Sequence, residues 1–238
     1  MLSVFLGVGV SIVSLAKVLE HLFIQYEQLV WSFFFGLILS SIYFVGRLVK
    51  AWNIVSYSSL LIGVVIAASI AFLKPVSENS EYWYLLICGI IAVASMILPG
   101  LSGSYVLILM GNYQLIMLTS VSDPFHHLHI LIPVIVGSIV GFLVLCLGIA
   151  YFFSKFYDAS ISLLSGFVVG SLLVIWPWKT PAETILGRNG EQKVVSYFWE
   201  LPDFSSGDSF TAFLCILLGV FTVWLIERLG NKISSKAN

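Results

Sequence analysis

The residues best placed to do chemistry stand where no charge is near in sequence. Pro99, Gly100, Ser102, Gly103 and Ser104 fall within "ILPGLSGSYVLILMGNY", Ile97–Tyr113, and no Asp, Glu, Lys or Arg occurs between Glu81 and Asp123. A serine hydroxyl needs a neighbouring base to act as a nucleophile, and this stretch supplies none. Proline and glycine in an apolar run point instead to backbone chemistry. Pro99 has no N–H and disfavours helix at Leu98. Gly100 and Gly103 admit backbone angles closed to other residues. The pattern predicts an interruption at Leu98–Ser104, with a new helix starting near Ser102. The first N–H groups of a helix lack intrahelical partners, and its dipole is positive there. Ser102 or Ser104 can cap such an end, and the arrangement suits an anion, phosphate above all. The alternative is a Pro/Gly turn between two ordinary spans, emerging into headgroup water.

Other candidates are sparser. Arg47 follows a Phe-rich apolar run, either as an anchor at the membrane surface or as a counter-charge to a lipid phosphate. Tyr113 can hydrogen-bond a headgroup or sit at the interface. His126, His127 and His129 cluster before another apolar run. They can share a ligand or face a phosphate, but only Asp123 is a nearby carboxylate, which argues against a metal site. Lys17 and Glu20 can pair, lie at the surface, or serve a coupling ion such as a proton or sodium. Cys88, Cys146 and Cys215 lie singly in apolar runs, which excludes a disulfide framework or zinc site. No cofactor is implied.

The elements that position these residues follow from composition. Of 238 residues, 59% are hydrophobic and only 10% charged, with a mean hydropathy of +1.03. Soluble domains carry about 25% charged residues, and a helical crossing needs about 20 apolar residues. The chain reads as an all-α, polytopic integral membrane protein, a single domain with a broken or re-entrant helix pair around Leu98–Ser104. Apolar runs fall at about 1–16, 29–46, 54–73, 82–98, 101–120, 130–153, 160–178 and 209–226. Residues 15–28, with Lys17, Glu20 and Glu27 interleaved, read as a helix end or interfacial helix. Ser14-Leu15-Ala16 resembles a cleavage site, but no basic residue precedes the first apolar run, so it reads as a span. The segment 179–208 is polar and predicts an extramembrane loop. Basic residues follow three runs: Arg47 with Lys50, Lys155, and Arg228 with Lys232 and Lys236. The positive-inside rule places these, and the C-terminus, in the cytoplasm. The same rule cannot choose between two crossings and a hairpin over 82–120. Small residues four apart, Gly36 with Ser40, Gly137 with Gly141 and Gly166 with Gly170, predict close helix packing.

Leu98-Pro99-Gly100-Leu101-Ser102-Gly103-Ser104, followed by Gly111-Asn112-Tyr113, resembles the signature of the PopT-type polyprenyl-phosphate transporters. The likeness extends to "WSFFFGLILSS", Trp31–Ser41, and to "GFVVGSLLVIWPW", Gly166–Trp178, and so covers nearly the whole chain in order. It implies a bacterial cytoplasmic-membrane protein that returns undecaprenyl phosphate from the outer to the cytoplasmic leaflet for envelope synthesis. With such a substrate, the residues expected to bind it are those read above as candidates: Pro99, Gly100, Ser102, Gly103, Ser104, Tyr113 and Arg47. Such proteins usually carry an earlier Pro-Gly-x-Ser-Gly-Gly copy, making two related halves. Residues 1–30 hold no such copy, so the chain reads as one that starts late, with half of a paired site.

Three functional classes follow. The first is a flippase-like lipid transporter without covalent chemistry. The second is a membrane-embedded polyprenyl diphosphate phosphatase, which needs a nucleophile and charged partners at the bilayer edge. The third is a half-protein with an accessory or inactive role. The residues favour the first.

Overall fold

The computed structural model describes residues 2–186, 192–203 and 207–237. The helices are α1 (Leu2–Gly46), α2 (Ile54–Ala71), α3 (Tyr82–Ile97), α4 (Gly103–Leu109), a π-helix (Gln114–Ser120), α5 (Leu128–Lys155), α6 (Tyr157–Ser171) and α7 (Gly207–Ala237). One hairpin, β1 (Lys179–Leu186) with β2 (Gln192–Trp199), interrupts them. Among the described residues, four segments are long and apolar enough to cross a bilayer: Ser14–Gly46, Ile54–Ala71, Leu128–Lys155 and Gly207–Gly230.

Burial is inverted relative to a water-soluble protein. Ser32, Ser56, Ser120, Ser162, Ser165 and Ser171 are almost wholly buried, whereas Ile54, Leu147 and Phe210 stand outward. When the surrounding medium is hydrocarbon, apolar side chains gain nothing by hiding, and small residues collect where backbones touch. The protein is a polytopic helical membrane protein.

The described residues group into two compact units. The first comprises residues 1–41, 175–178 and 201–238. In it Gly36 of α1 lies against the backbone of Ile216 in α7, and Gly219 lies against that of Phe33. Trp178 donates Nε1–H to Ser209 Oγ at 3.3 Å, and its ring lies 5.1 Å from that of Phe213.

The second unit comprises residues 42–174 and 179–200. Two parallel helix pairs build it. Gly166 of α6 sits on Leu60 of α2, and Gly170 sits on Val64 and Ala67. Gly137 of α5 sits on Leu86 of α3, and Gly141 sits on Ile90, where an added Cβ would lie 2.8 Å from the Ile90 backbone. In both pairs the contacts ascend together along the two helices, so each pair runs in one direction. The start of α6 is tied to the start of α2: Asp158 accepts from the N–H of Lys50 at 2.8 Å and of Ala51 at 3.3 Å. Lys155 ends α5 one residue before α6 begins, so this unit has a basic end. α3 starts at the opposite end, alongside the start of α5.

Several expectations are revised. The runs 1–16 and 29–46 lie on either side of a kink at Tyr26 (φ −140°, ψ 44°), where two helical stretches meet within α1. Lys17 and Glu20 are both exposed. The run 101–120 is no continuous span; it divides into α4 and the π-helix. The predicted loop 179–208 contains the antiparallel hairpin, paired from Lys179↔Trp199 to Leu186↔Gln192 with irregular register around Pro181–Thr184. β2, "QKVVSYFW", is rich in β-branched and aromatic residues that suit a strand. Trp199 at its end donates Nε1–H to Leu173 O at 2.9 Å and stacks 4.9 Å from Phe72. Residues 187–191 and 204–206 of that segment lie outside the described residues.

Candidate functional site

The helix breaks where Pro99 requires it. α3 closes with the Leu98 N–H on Ala94 O at 3.1 Å, and Leu98 then turns extended at φ −75°, ψ 128°. Gly100 takes φ +86°, a region open to glycine, and the Leu101 N–H points back to Leu98 O at 3.5 Å. Proline second and left-handed glycine third is the residue order of a type II turn. Ser102 follows as the N-cap of α4 (φ −106°, ψ 121°), accepting from the Tyr105 N–H on its Oγ at 3.5 Å. Ser102 Oγ and Ser104 Oγ lie 3.0 Å apart, and both residues are exposed.

Two contacts fix the turn. Gly100 lies against α6, where an added Cβ would fall 2.8 Å from Ser171 Oγ and 3.0 Å from Phe167 O. Gly103 is buried against α3, where a Cβ would fall 2.6 Å from Met96 Cγ and 2.7 Å from Ala92 O. Gly103 therefore lets α4 fold back onto α3, and bulk there disrupts the hairpin itself. The open side belongs to the two serines.

α4 returns to the end from which α3 set out. Tyr84, early in α3, donates its hydroxyl to Met110 O at 2.9 Å. α3 and α4 thus form a re-entrant hairpin and not two crossings. With 16 residues, α3 advances about 24 Å, short of a hydrocarbon core of about 30 Å. A helix of that length, set with its first turn at one membrane face, ends before it reaches the other. Irregular backbone at that depth is tolerated only against protein or a watery cavity, and α6 supplies the protein side. α4 has only seven residues, so it offers a first turn of N–H donors and little macrodipole.

The far end of α4 holds a residue that the motif contained but sequence reasoning gave no role. Asn112 is fully buried. Its Oδ1 accepts from the Asn79 N–H at 2.9 Å, and its Nδ2 donates to Asn79 O at 2.7 Å. Gly111 beside it has φ +73° and lies against Val76 and Ser77. The Val76 N–H completes the clasp on Leu109 O at 3.0 Å. A Gly-Asn pair in an apolar run was the available signal; the partner, 33 residues earlier in the chain, was not.

The structure gathers Pro99, Gly100, Ser102, Gly103 and Ser104 into one turn. Tyr113 stands apart, at the opposite end of α4, packed against the buried cluster of Leu85, Cys88, Ala92, Leu107, Ile116 and Ile130. Arg47 also stands apart. It is exposed in the turn after α1, with its guanidinium 5.9 Å from the Tyr43 ring. Three residues on, the Lys50 N–H binds Asp158 at the start of α6, whereas the turn meets α6 at Phe167 and Ser171, roughly 14–20 Å farther along. His126 pairs with Asp123 at 2.8 Å, His127 Nδ1 lies 3.0 Å from Asp123 O, and the His127 and His129 rings are 6.2 Å apart. No group of three or more metal-ligating side chains occurs among the described residues.

Residues 1–193 match a family model described as undecaprenyl phosphate translocase-like. A polyprenyl-phosphate transporter of Vibrio cholerae serotype O1 is 34% identical over 192 residues, covering 81% of this chain and 61% of that protein. A polyprenyl-phosphate transporter of Staphylococcus aureus is 27% identical over 192 residues, covering 74% of this chain and 68% of that protein. The chain thus spans 61% of the length of the Vibrio relative it matches. No solved structure matches it. The matched residues contain the whole α3–α4 hairpin and both helix pairs that hold it, and the chain belongs to the undecaprenyl phosphate translocase-like family.

Proposed function

We propose that this protein moves polyprenyl phosphate, specifically undecaprenyl phosphate, between the leaflets of a bacterial cytoplasmic membrane, without covalent chemistry. The observation that carries this reading is the family match over residues 1–193. The broken hairpin supports it. A lipid phosphate crossing the bilayer needs donors at depth, and a turn with two exposed hydroxyls and a helix start supplies them. Pro99 and Gly100 shape the turn, Ser102 and Ser104 present hydroxyls, and Gly103 brings the first N–H groups of α4 close. Arg47 adds positive charge at the basic end, and Tyr113 supports the closed end of α4. By the positive-inside rule the basic end, and separately Arg228 in the last third of α7, belong on the cytoplasmic side.

An enzymatic reading fits less well. The serines hydrogen-bond each other, and His126 is engaged with Asp123, not with either of them. The deciding experiment uses the purified chain in proteoliposomes carrying polyprenyl phosphate in one leaflet. Protein-dependent exchange, impaired by Ser102→Ala with Ser104→Ala and without release of inorganic phosphate, is expected. Exchange at the wild-type rate by an abundant double variant would move the phosphate site elsewhere. Phosphate release from a polyprenyl diphosphate would replace the transporter with a phosphatase.

A further inference from the structure

The early turn of α3 leaves space beneath it. Its neighbours α2, α5 and α6 all continue to the basic end, but α3 stops at Ile97. The vacated volume is a cavity of about 600 Å³ with Leu98 at its roof, Gly148 and Phe152 of α5 on one side, and Leu163 and Leu164 of α6 on another. Its walls are almost wholly apolar. Val55, Phe156 and Ala159 belong both to this chamber and to a second cavity of about 370 Å³ at the basic end. The second is the more polar of the two, with Lys50, Asn53, Ser56, Lys155 and Asp158 in its lining. One cleft therefore runs from beneath the broken helix to the basic end, greasy above and cationic at its mouth.

The two ammonium groups are held without being neutralised. Lys50 Nζ lies 5.1 Å from the Tyr157 ring centre. Lys155 Nζ lies 5.6 Å from the Tyr151 ring and 5.5 Å from that of Phe156, and donates to Tyr151 Oη at 3.2 Å. Aromatic faces orient a cation while leaving its N–H donors for an anion. Neither lysine has a carboxylate partner among the described residues. The one carboxylate at the mouth, Asp158, already accepts from the backbone N–H groups of Lys50 and Ala51. Two cations facing one engaged carboxylate leave the mouth net positive.

We infer that this cleft is a second lipid subsite: Lys50 and Lys155 hold the phosphate of a prenyl monophosphate, and the chamber takes the first isoprene units. The inference rests on the transporter reading and adds where the lipid is held at the cytoplasmic leaflet. The chemistry is specific to the amphiphile. A free phosphate lacks the tail that fills the chamber, and a neutral prenol lacks the charge that the mouth compensates. A volume in the range of about 300–1,000 Å³ houses a small-molecule-sized portion of a ligand; the rest of a long isoprenoid stays in lipid.

The test measures binding of geranylgeranyl phosphate, geranylgeraniol and inorganic phosphate to the full chain in nanodiscs. The variants are Lys50→Gln with Lys155→Gln, Lys50→Arg with Lys155→Arg, and Gly148→Leu. An added Cβ at Gly148 meets nothing within 4 Å, so this side chain enters the chamber without displacing backbone. The double glutamine variant should bind geranylgeranyl phosphate about tenfold or more weakly, as expected for losing charge-assisted hydrogen bonds. The double arginine variant should retain most of the affinity. Gly148→Leu should weaken both prenyl ligands severalfold and leave inorganic phosphate unchanged. Wild-type affinity in the double glutamine variant would overturn the headgroup site, and wild-type affinity in Gly148→Leu would overturn the tail site. If the wild-type chain exchanges lipid while these variants bind normally, the second subsite alone falls. If it neither binds nor exchanges any prenyl phosphate, the transporter reading falls with it.

Discussion

Two glycine turns bound α4, and they use the same backbone device to opposite ends. Gly100 and Gly111 both adopt positive φ, at +86° and +73°. At Gly111 the turn is bonded from within the chain. Asn112 is buried and bonded to Asn79 through both ends of its amide, and Val76 binds Leu109. At Gly100 the hydrogen bond is long, the two serines bind mainly each other, and both stand exposed. A turn buried in a membrane protein must satisfy its polar groups. The closed turn does so from its own chain and is a clasp. The open turn leaves its two hydroxyls exposed.

The contrast breaks first at the clasp. Gly111→Val would force a β-branched residue to φ +73° and push its Cβ to within 2.8 Å of the Ser77 backbone. A destabilisation above about 3 kcal/mol is expected, read as loss of folded protein from detergent extracts. Asn112→Ala is milder. It strips the Asn79 N–H and carbonyl of their partners, at about 2 kcal/mol, and should lower the melting temperature without abolishing expression. If Asn112→Ala melts as wild type, the clasp is decorative and the comparison fails. Ser102→Ala should reverse the ratio of effects. Its capping bond is long at 3.5 Å, so the stability loss should sit near the low end of capping values, about 0.5 kcal/mol, while lipid exchange falls about tenfold. A variant that loses stability and exchange in proportion would make the open turn structural as well. The smallest effect concerns orientation. Ser122 and Ser154 are exposed at opposite ends of α5. With the native cysteines replaced, Ser122→Cys should react with an impermeant maleimide outside intact cells, Ser154→Cys should not, and neither should change exchange. The opposite labelling would invert the topology.

The open turn was legible in the sequence and the clasp was not. Pro99 and Gly100 act locally: one removes a donor, the other admits a left-handed angle, and an apolar surround makes both conspicuous. Asn112 acts through a residue 33 positions earlier, and nothing in its own neighbourhood reports that. The same division runs through the rest of the fold. The glycine spacing in α5 and α6 announced close packing, because the cause and the sign lie on one helix. The place of the kink in α1, at Tyr26, was hidden, because hydropathy tracks the surroundings of a side chain and not the hydrogen bonding of its backbone. β2 carried its strand composition openly, but the polar context of 179–208 read as loop. Tyr113 and Arg47 illustrate what residue type alone leaves open. Their residue types suit a phosphate, yet chain topology sets each at the opposite end of an element from the turn.

The depth at which α3 turns back also bears on speed. Under the proposed function, an ion carried across hydrocarbon meets its steepest cost midway, far from water on either side. A polar turn within the span divides one tall barrier into two lower ones. Because passage slows about tenfold for each 1.4 kcal/mol of barrier, halving the tallest climb accelerates transit far more than tightening the grip at either shore, and a midway hold that bound too well would become a trap. Two hydroxyls and a short helix start, with no fixed charge, form a stepping stone shallow enough to leave.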